Sequence, residues 1–113
     1  MTDCLFCRIV SGEIPADVVA QNDHAMAFRD VNPQAPVHVL VIPREHHIDV
    51  GAMAGADADL AGQVLALATQ VADQEGLAEG YRLVFNTGAS AGQSVFHVHA
   101  HLLGGRALTW PPG

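Results

Sequence analysis

The sequence predicts an α+β domain with a mostly antiparallel sheet. Three observations lead there: short runs of β-forming residues, turns rich in Gly, Pro and Asn between them, and one long helical stretch. In chain order, a short helix is expected over about Leu5 to Ser11, stopped by "SGEIP". Strands follow at Val18–Gln21, Met26–Arg29 and Val37–Ile42, with "NPQAP" as the turn before the third. The alanine- and glycine-rich "GAMAGADA" (51–58) reads as a loop. The strongest helix spans about Asp57 to Glu75, where Leu60, Val64, Leu67 and Val71 form one apolar stripe. Asp57 and Asp59 suit its start, and Gly76 suits the position just past its end. The last strands are expected at Tyr81–Asn86 and Val95–Leu102, joined through "NTGASAG".

A chain of 113 residues is read as one domain, 1–113, long enough for a single core. Half of its residues are hydrophobic and 15% are charged, a balance that favours folding over disorder. No apolar run reaches the roughly 18 residues of a membrane span, and "MTDCLFCRIV" lacks the basic and apolar regions of a secretory signal. A soluble, cytoplasmic protein is expected, with no membrane partner. The net charge of −7, with no Lys and five scattered Arg, argues against nucleic acid, whose binding needs clustered cations. A small anionic ligand remains compatible, met by backbone N–H groups, imidazoles and one or two Arg. The two cysteines, Cys4 and Cys7 in "CLFC", suggest half a zinc site or a redox pair rather than a structural disulfide.

The most informative stretch is "QSVFHVHAHLLGGR" (93–106). In a strand its alternation puts His97, His99 and His101 on one face, with Phe96, Val98, Ala100 and Leu102 facing the core. Two such histidines can converge on a metal ion. Three in a straight row cannot easily close on one tetrahedral ion, because the outer two are about 13 Å apart. A nucleophilic row fits better: one imidazole attacks, a neighbour moves the proton, and backbone carbonyls fix the tautomer. Phosphorus is a natural target. "GASAGQS", with its small residues and the side chains of Gln93 and Ser94, suits an approach to phosphate oxygens.

"GQSVFHVHAHLLGG" resembles the signature of the histidine triad family, and the resemblance extends over nearly the whole chain. "CLFCRIVSGEIPA", "AFRDVNPQAPVHVLVIPREH", "GLAEGYRLVFNTG" and "GGRALTWPPG" are all similar to its Hint branch, the histidine-triad nucleotide-binding proteins. The resemblance implies a five-stranded antiparallel sheet with two helices and a homodimer. It also implies purine nucleotide binding and hydrolysis at the α-phosphate, notably of the P–N bond of nucleoside phosphoramidates. By that likeness His99 is the nucleophile, His97 and His101 flank it, and His38 is a fourth histidine near the triad. Asp30 matches the carboxylate that accepts from the ribose hydroxyls, and Ile14, Phe28 and Val31 match the apolar base pocket. Asn86, Gly92, Gln93 and Ser94 match positions contacting the α-phosphate, with Ser94 placed to donate to the leaving group. Trp110 is similar to a tryptophan that reaches toward the partner subunit's site.

The cysteine pair is not general in this branch. In bacterial members that carry it, the likeness implies a structural zinc held by Cys4, Cys7, His46 and His97, a closed tetrahedral set. His97 would then serve the metal, and the proton-donor role would fall to Ser94 or His38. The chemistry itself needs no metal, and His47 has no assigned role. A dinucleoside polyphosphate hydrolase, a non-catalytic nucleotide-sensing interaction protein and a metal-storage protein are the alternative readings.

Overall fold

The computed structural model describes residues 3–113. A short helix α1 (Leu5–Val10) leads into strands β1 (Val18–Gln21), β2 (Ala25–Arg29) and β3 (Val37–Pro43). Helices α2 (Val50–Ala56) and α3 (Ala58–Gln74) follow, then β4 (Tyr81–Val84), a 3₁₀ turn at Ala89–Ala91 and β5 (Ala100–Gly104). The five strands form one antiparallel sheet in the order β1-β2-β3-β5-β4.

Among the described residues three α-helices are present where two were expected. The segment read as a loop is helix α2, because Asp49 accepts a hydrogen bond from Ala52 N–H at 2.9 Å and starts a turn that its small residues can continue. Asp57 then ends α2 in a non-helical conformation and caps α3, accepting from Leu60 N–H at 3.1 Å. At the other end Gly76 adopts φ +73°, and the Leu77 and Gly76 N–H groups return to Ala72 and Asp73 carbonyls. This is a glycine-based C-cap, as the sequence suggested.

The helical stripe of α3 packs Leu60, Val64, Leu67, Ala68, Val71 and Ala72 against one face of the sheet, on Ala25, Ala27, Val39, Val41, Ala100 and Leu102. The opposite face carries a second core, where Phe6 and Ile9 of α1 pack on Met26, Phe28, Leu40 and Ile42. Covering both faces explains why β3 is buried almost throughout. Two strand boundaries differ from expectation. β4 stops at Val84, releasing Phe85 and Asn86 into the loop. β5 starts at Ala100 rather than Val95, because Val98 N–H pairs with the His47 carbonyl at 2.7 Å instead of with a strand. Phe96, expected in the core, is therefore 46% exposed.

Candidate active site and metal cluster

The late start of β5 separates the three histidines that simple alternation would put in a row. His101 lies within β5 opposite Leu40, on the α1 face, with His38 of β3 as its diagonal neighbour. His38 Nε2 and His101 Nδ1 are 2.9 Å apart. His99 is buried just before the strand, its ring centroid 4.9 Å from that of His101 and 5.1 Å from Phe6. His97 turns away. Its fully buried ring meets Cys4, Cys7 and His46.

Main-chain groups fix the tautomers. The His97 carbonyl lies 2.8 Å from His99 Nδ1. A carbonyl can only accept, so Nδ1 holds the proton and Nε2 keeps its lone pair. The same logic applies to His97, whose Nε2 donates to the Pro43 carbonyl at 2.9 Å, leaving Nδ1 unprotonated. His38 is constrained in the opposite sense: Gln34 N–H donates to its Nδ1 at 3.0 Å, so its proton sits on Nε2, toward His101. Asp30 Oδ2 lies 3.4 Å from that nitrogen. Asp30, His38 and His101 place three ligand-type atoms together, but the His38 tautomer presents an N–H there and makes this a hydrogen-bond network.

Burial keeps these rings neutral. Desolvation pushes His101 down to about 4, with His99 and His38 adding to the effect and Asp30 opposing it. Desolvation also lowers His99 and His38, against the His97 carbonyl for the first and Asp30 for the second. A neutral imidazole with an aimed lone pair is a nucleophile, and its neighbour with an N–H is a donor.

In the second cluster, His97 Nδ1 is 3.4 Å from Cys4 Sγ, 3.5 Å from Cys7 Sγ and 3.2 Å from His46 Nδ1, and Cys7 Sγ is 3.5 Å from His46 Nδ1. A tetrahedral ion with metal–N near 2.0–2.1 Å and metal–S near 2.3 Å spaces its donors about 3.3–3.8 Å apart. The donor set and its spacing therefore fit a zinc-type metal, and Pro43 supplies the outer hydrogen bond that orients a ligating imidazole.

The other predicted residues are placed unevenly. Asp30 is half-buried and its Oδ1 also accepts from Asn32 N–H. Ile14 and Phe28 share the core under α1, whereas Val31 is fully exposed and does not join them. Gln93 is buried, but its side chain braces loops: it accepts from Gly88 N–H and donates to the Ile48 and Val95 carbonyls. Ser94 is exposed, and half-buried Asn86 lies near Gly92, its amide nitrogen 3.8 Å from where a Cβ would stand. Trp110 is 82% exposed. A cleft of about 890 Å³ lined by Leu77, Tyr81, Arg82 and Arg106 contains none of the histidines, so chemistry rather than concavity locates the site. Sequence reasoning missed Phe6, which lies edge-on to both His97 and His99, although its place inside "CLFC" was a signal. It also missed the main-chain contributions of Gln34, Pro43 and His47, which carry no side-chain signal.

A HIT domain model matches residues 11–108. The chain belongs to the histidine triad family. Among HIT relatives, a 14 kDa zinc-binding protein of Brassica juncea is 47% identical, covering 98% of this chain and all of that one. The adenylylsulfatase HINT1 of Arabidopsis thaliana is 48% identical over 96% of this chain and 76% of its own length. A crystal structure of a HIT family hydrolase from Legionella pneumophila superposes with a TM-score of 0.94 at 51% identity, covering 98% of this chain and all of that one. The HIT fold expected from the resemblance is thus present, with the third helix added.

Proposed function

We propose that this protein, a single HIT domain over residues 1–113, is a hydrolase of purine nucleoside 5′-phosphoramidates that works through a covalent nucleotidyl-histidine intermediate. The observation that carries this reading is the His99 tautomer: Nδ1–H is held by the His97 carbonyl, which leaves a lone pair on Nε2. In the first step that lone pair attacks the α-phosphorus, the bond to the leaving amine breaks, and the amine takes a proton. Ser94 and His101 Nε2–H are the donors on the chain's side. In the second step water attacks the phosphorus, the P–Nε2 bond breaks, a proton from the water returns to the group that protonated the amine, and the nucleoside monophosphate leaves. Asp30 accepts from the ribose hydroxyls, and Ile14, Phe28 and the main chain near Val31 receive the base. The loop bearing Asn86, Gly92 and Gln93 faces the phosphate.

The Arabidopsis relative's name describes removal of sulfate from an adenylyl group. Attack at the same phosphorus with another leaving group is the same chemistry, so adenylyl sulfate belongs in the test. Hydrolysis of adenosine 5′-phosphoramidate and of adenylyl sulfate should be measured for wild type and His99→Ala. The expected loss is ~10³-fold or more. Equal rates from both proteins would remove the proposal, and tight nucleotide binding without turnover would point to a sensing role.

Cys4, Cys7, His46 and His97 would hold a structural zinc, the ion shaping the N-terminal turn and the approach to His99 while taking no part in the reaction. Zinc content of the purified protein should approach one per chain and fall on Cys4→Ser; less than about 0.2 per chain in wild type would sink the site. The protein would act as a homodimer, with the outer edge of β4, Leu65 and Trp110 available for contact. Sedimentation at twice the chain mass is expected.

A further inference from the structure

The loop between β2 and β3 does more than connect strands. Its Gln34 N–H donates to His38 Nδ1, and its Gln34 carbonyl accepts from Arg106, at 3.1 Å from Nη2 and 3.4 Å from Nε. Arg106 lies just beyond β5, in the turn that begins at Gly105. A Cβ added at Gly105 would stand 2.9 Å from Pro36 Cβ, so turn and loop are in direct contact. Inside the loop, Asp30 Oδ1 accepts from Asn32 N–H, and the Gln34 amide donates to the Asn32 carbonyl. Gln34 is held on both sides, through its N–H and through its carbonyl.

We propose that Gln34 and Arg106 are positioning residues that set the direction of the proton between His38 and His101. With Nδ1 of His38 occupied as an acceptor, its single proton must sit on Nε2 and point at His101 Nδ1, 2.9 Å away. His101 then carries its own proton on Nε2. The chain Gln34 N–H, His38, His101 therefore runs one way and ends in a donor directed out of the pair. Reversing it would set the Gln34 N–H against a protonated Nδ1, two donors face to face. Asp30, 3.4 Å from His38 Nε2, favours the same proton position. Charge is not involved, since all of these rings are neutral near pH 7.

This inference rests on the proposed hydrolase reading only for its kinetic consequence; the tautomers belong to the resting protein. Long-range ¹H–¹⁵N spectra of wild type without substrate should show His38 and His101 protonated on Nε2 and His99 on Nδ1. Replacing residue 34 by its α-hydroxy analogue through semisynthesis deletes the N–H and leaves the side chain, and should move His38 toward the Nδ1–H form. Arg106→Ala should do so partly, and Arg106→Lys should restore much of the wild-type pattern. With adenosine 5′-phosphoramidate, kcat should fall about tenfold in the ester variant while KM changes less than about twofold, the pattern of a contribution realised in the transition state. A wild-type His38 carrying its proton on Nδ1 overturns the proposal. So does an unchanged His38 tautomer in both the ester and the Arg106→Ala proteins. Absence of hydrolysis in wild type would overturn the hydrolase reading and leave the tautomer result to stand or fall separately.

Discussion

At the scale of single residues, chemical type was legible and orientation was not. Cys4, Cys7, His46 and His97 converge as the family likeness implied, and His38 and Asp30 approach His101. Yet for three of the histidines the usable nitrogen is decided by a main-chain atom: Pro43 O for His97, His97 O for His99, Gln34 N for His38. Every residue type offers the same carbonyl or N–H, so no side-chain pattern announces them. Gln93 shows the reverse case, a side chain of the right type committed to the Gly88, Ile48 and Val95 backbone. The low proton affinity of His101 has a thermodynamic consequence. Its folded value, about 4, lies below the ordinary value near 6.5, so the unfolded chain binds protons first as pH falls. Stability is full above about pH 6.5 and declines toward pH 4. His38, lowered by burial, contributes in the same direction. Melting temperatures measured across that window should fall in wild type and fall less steeply in His101→Gln; parallel curves would refute the assignment.

At the scale of elements, α3 was readable because its apolar spacing, its Asp57 cap and its Gly76 stop all agree. Leu67 is 2% exposed at the centre of that stripe, and Leu67→Ala should cost about 2–5 kcal/mol in denaturant unfolding. Asp57→Ala should cost about 0.5–2 kcal/mol, since it removes the acceptor for Leu60 N–H. Helix α2 was hidden because Ala and Gly give no apolar period; a single capping aspartate and buried Met53 define it instead. The residues before β5 misled for a related reason. "VFHVHAHL" alternates perfectly, but alternation states only which faces a strand would have. The contact from Val98 N–H to the His47 carbonyl, 51 residues back in the chain, keeps residues 95–99 out of the ladder. Long-range pairing of this kind is invisible to a local pattern.

At the scale of the molecule, the sheet separates two tasks between its faces. One face is an apolar bed for α3. The other holds the second core and, at its margin, both histidine clusters, joined through the main chain of residues 97–99. Composition bears on the proposed anionic substrate: with no Lys and few Arg, the site would meet it with imidazoles and peptide N–H groups. Arg29 pairs with Glu75 at 2.6 Å, and Arg82 and Arg106 bind carbonyls, so the cations serve the fold. Nucleotide affinity should therefore depend only weakly on salt between about 50 and 200 mM, unlike a site built on clustered cations. A steep loss measured by titration calorimetry would contradict this.

The separation between Cys4 and His97 is 93 residues, nearly the length of the chain. During synthesis the two thiols are made long before His97, the more distant of their two imidazole partners. At ordinary ribosomal speeds of about 5–20 residues per second, that interval lasts ~5–20 s. The Cys4, Cys7, His46 and His97 cluster and the alignment of His99 by the His97 carbonyl both need residue 97, so neither can form on a nascent chain before it is made. The four side chains can therefore come together only once residue 97 has been made, long after the thiols that open the cluster.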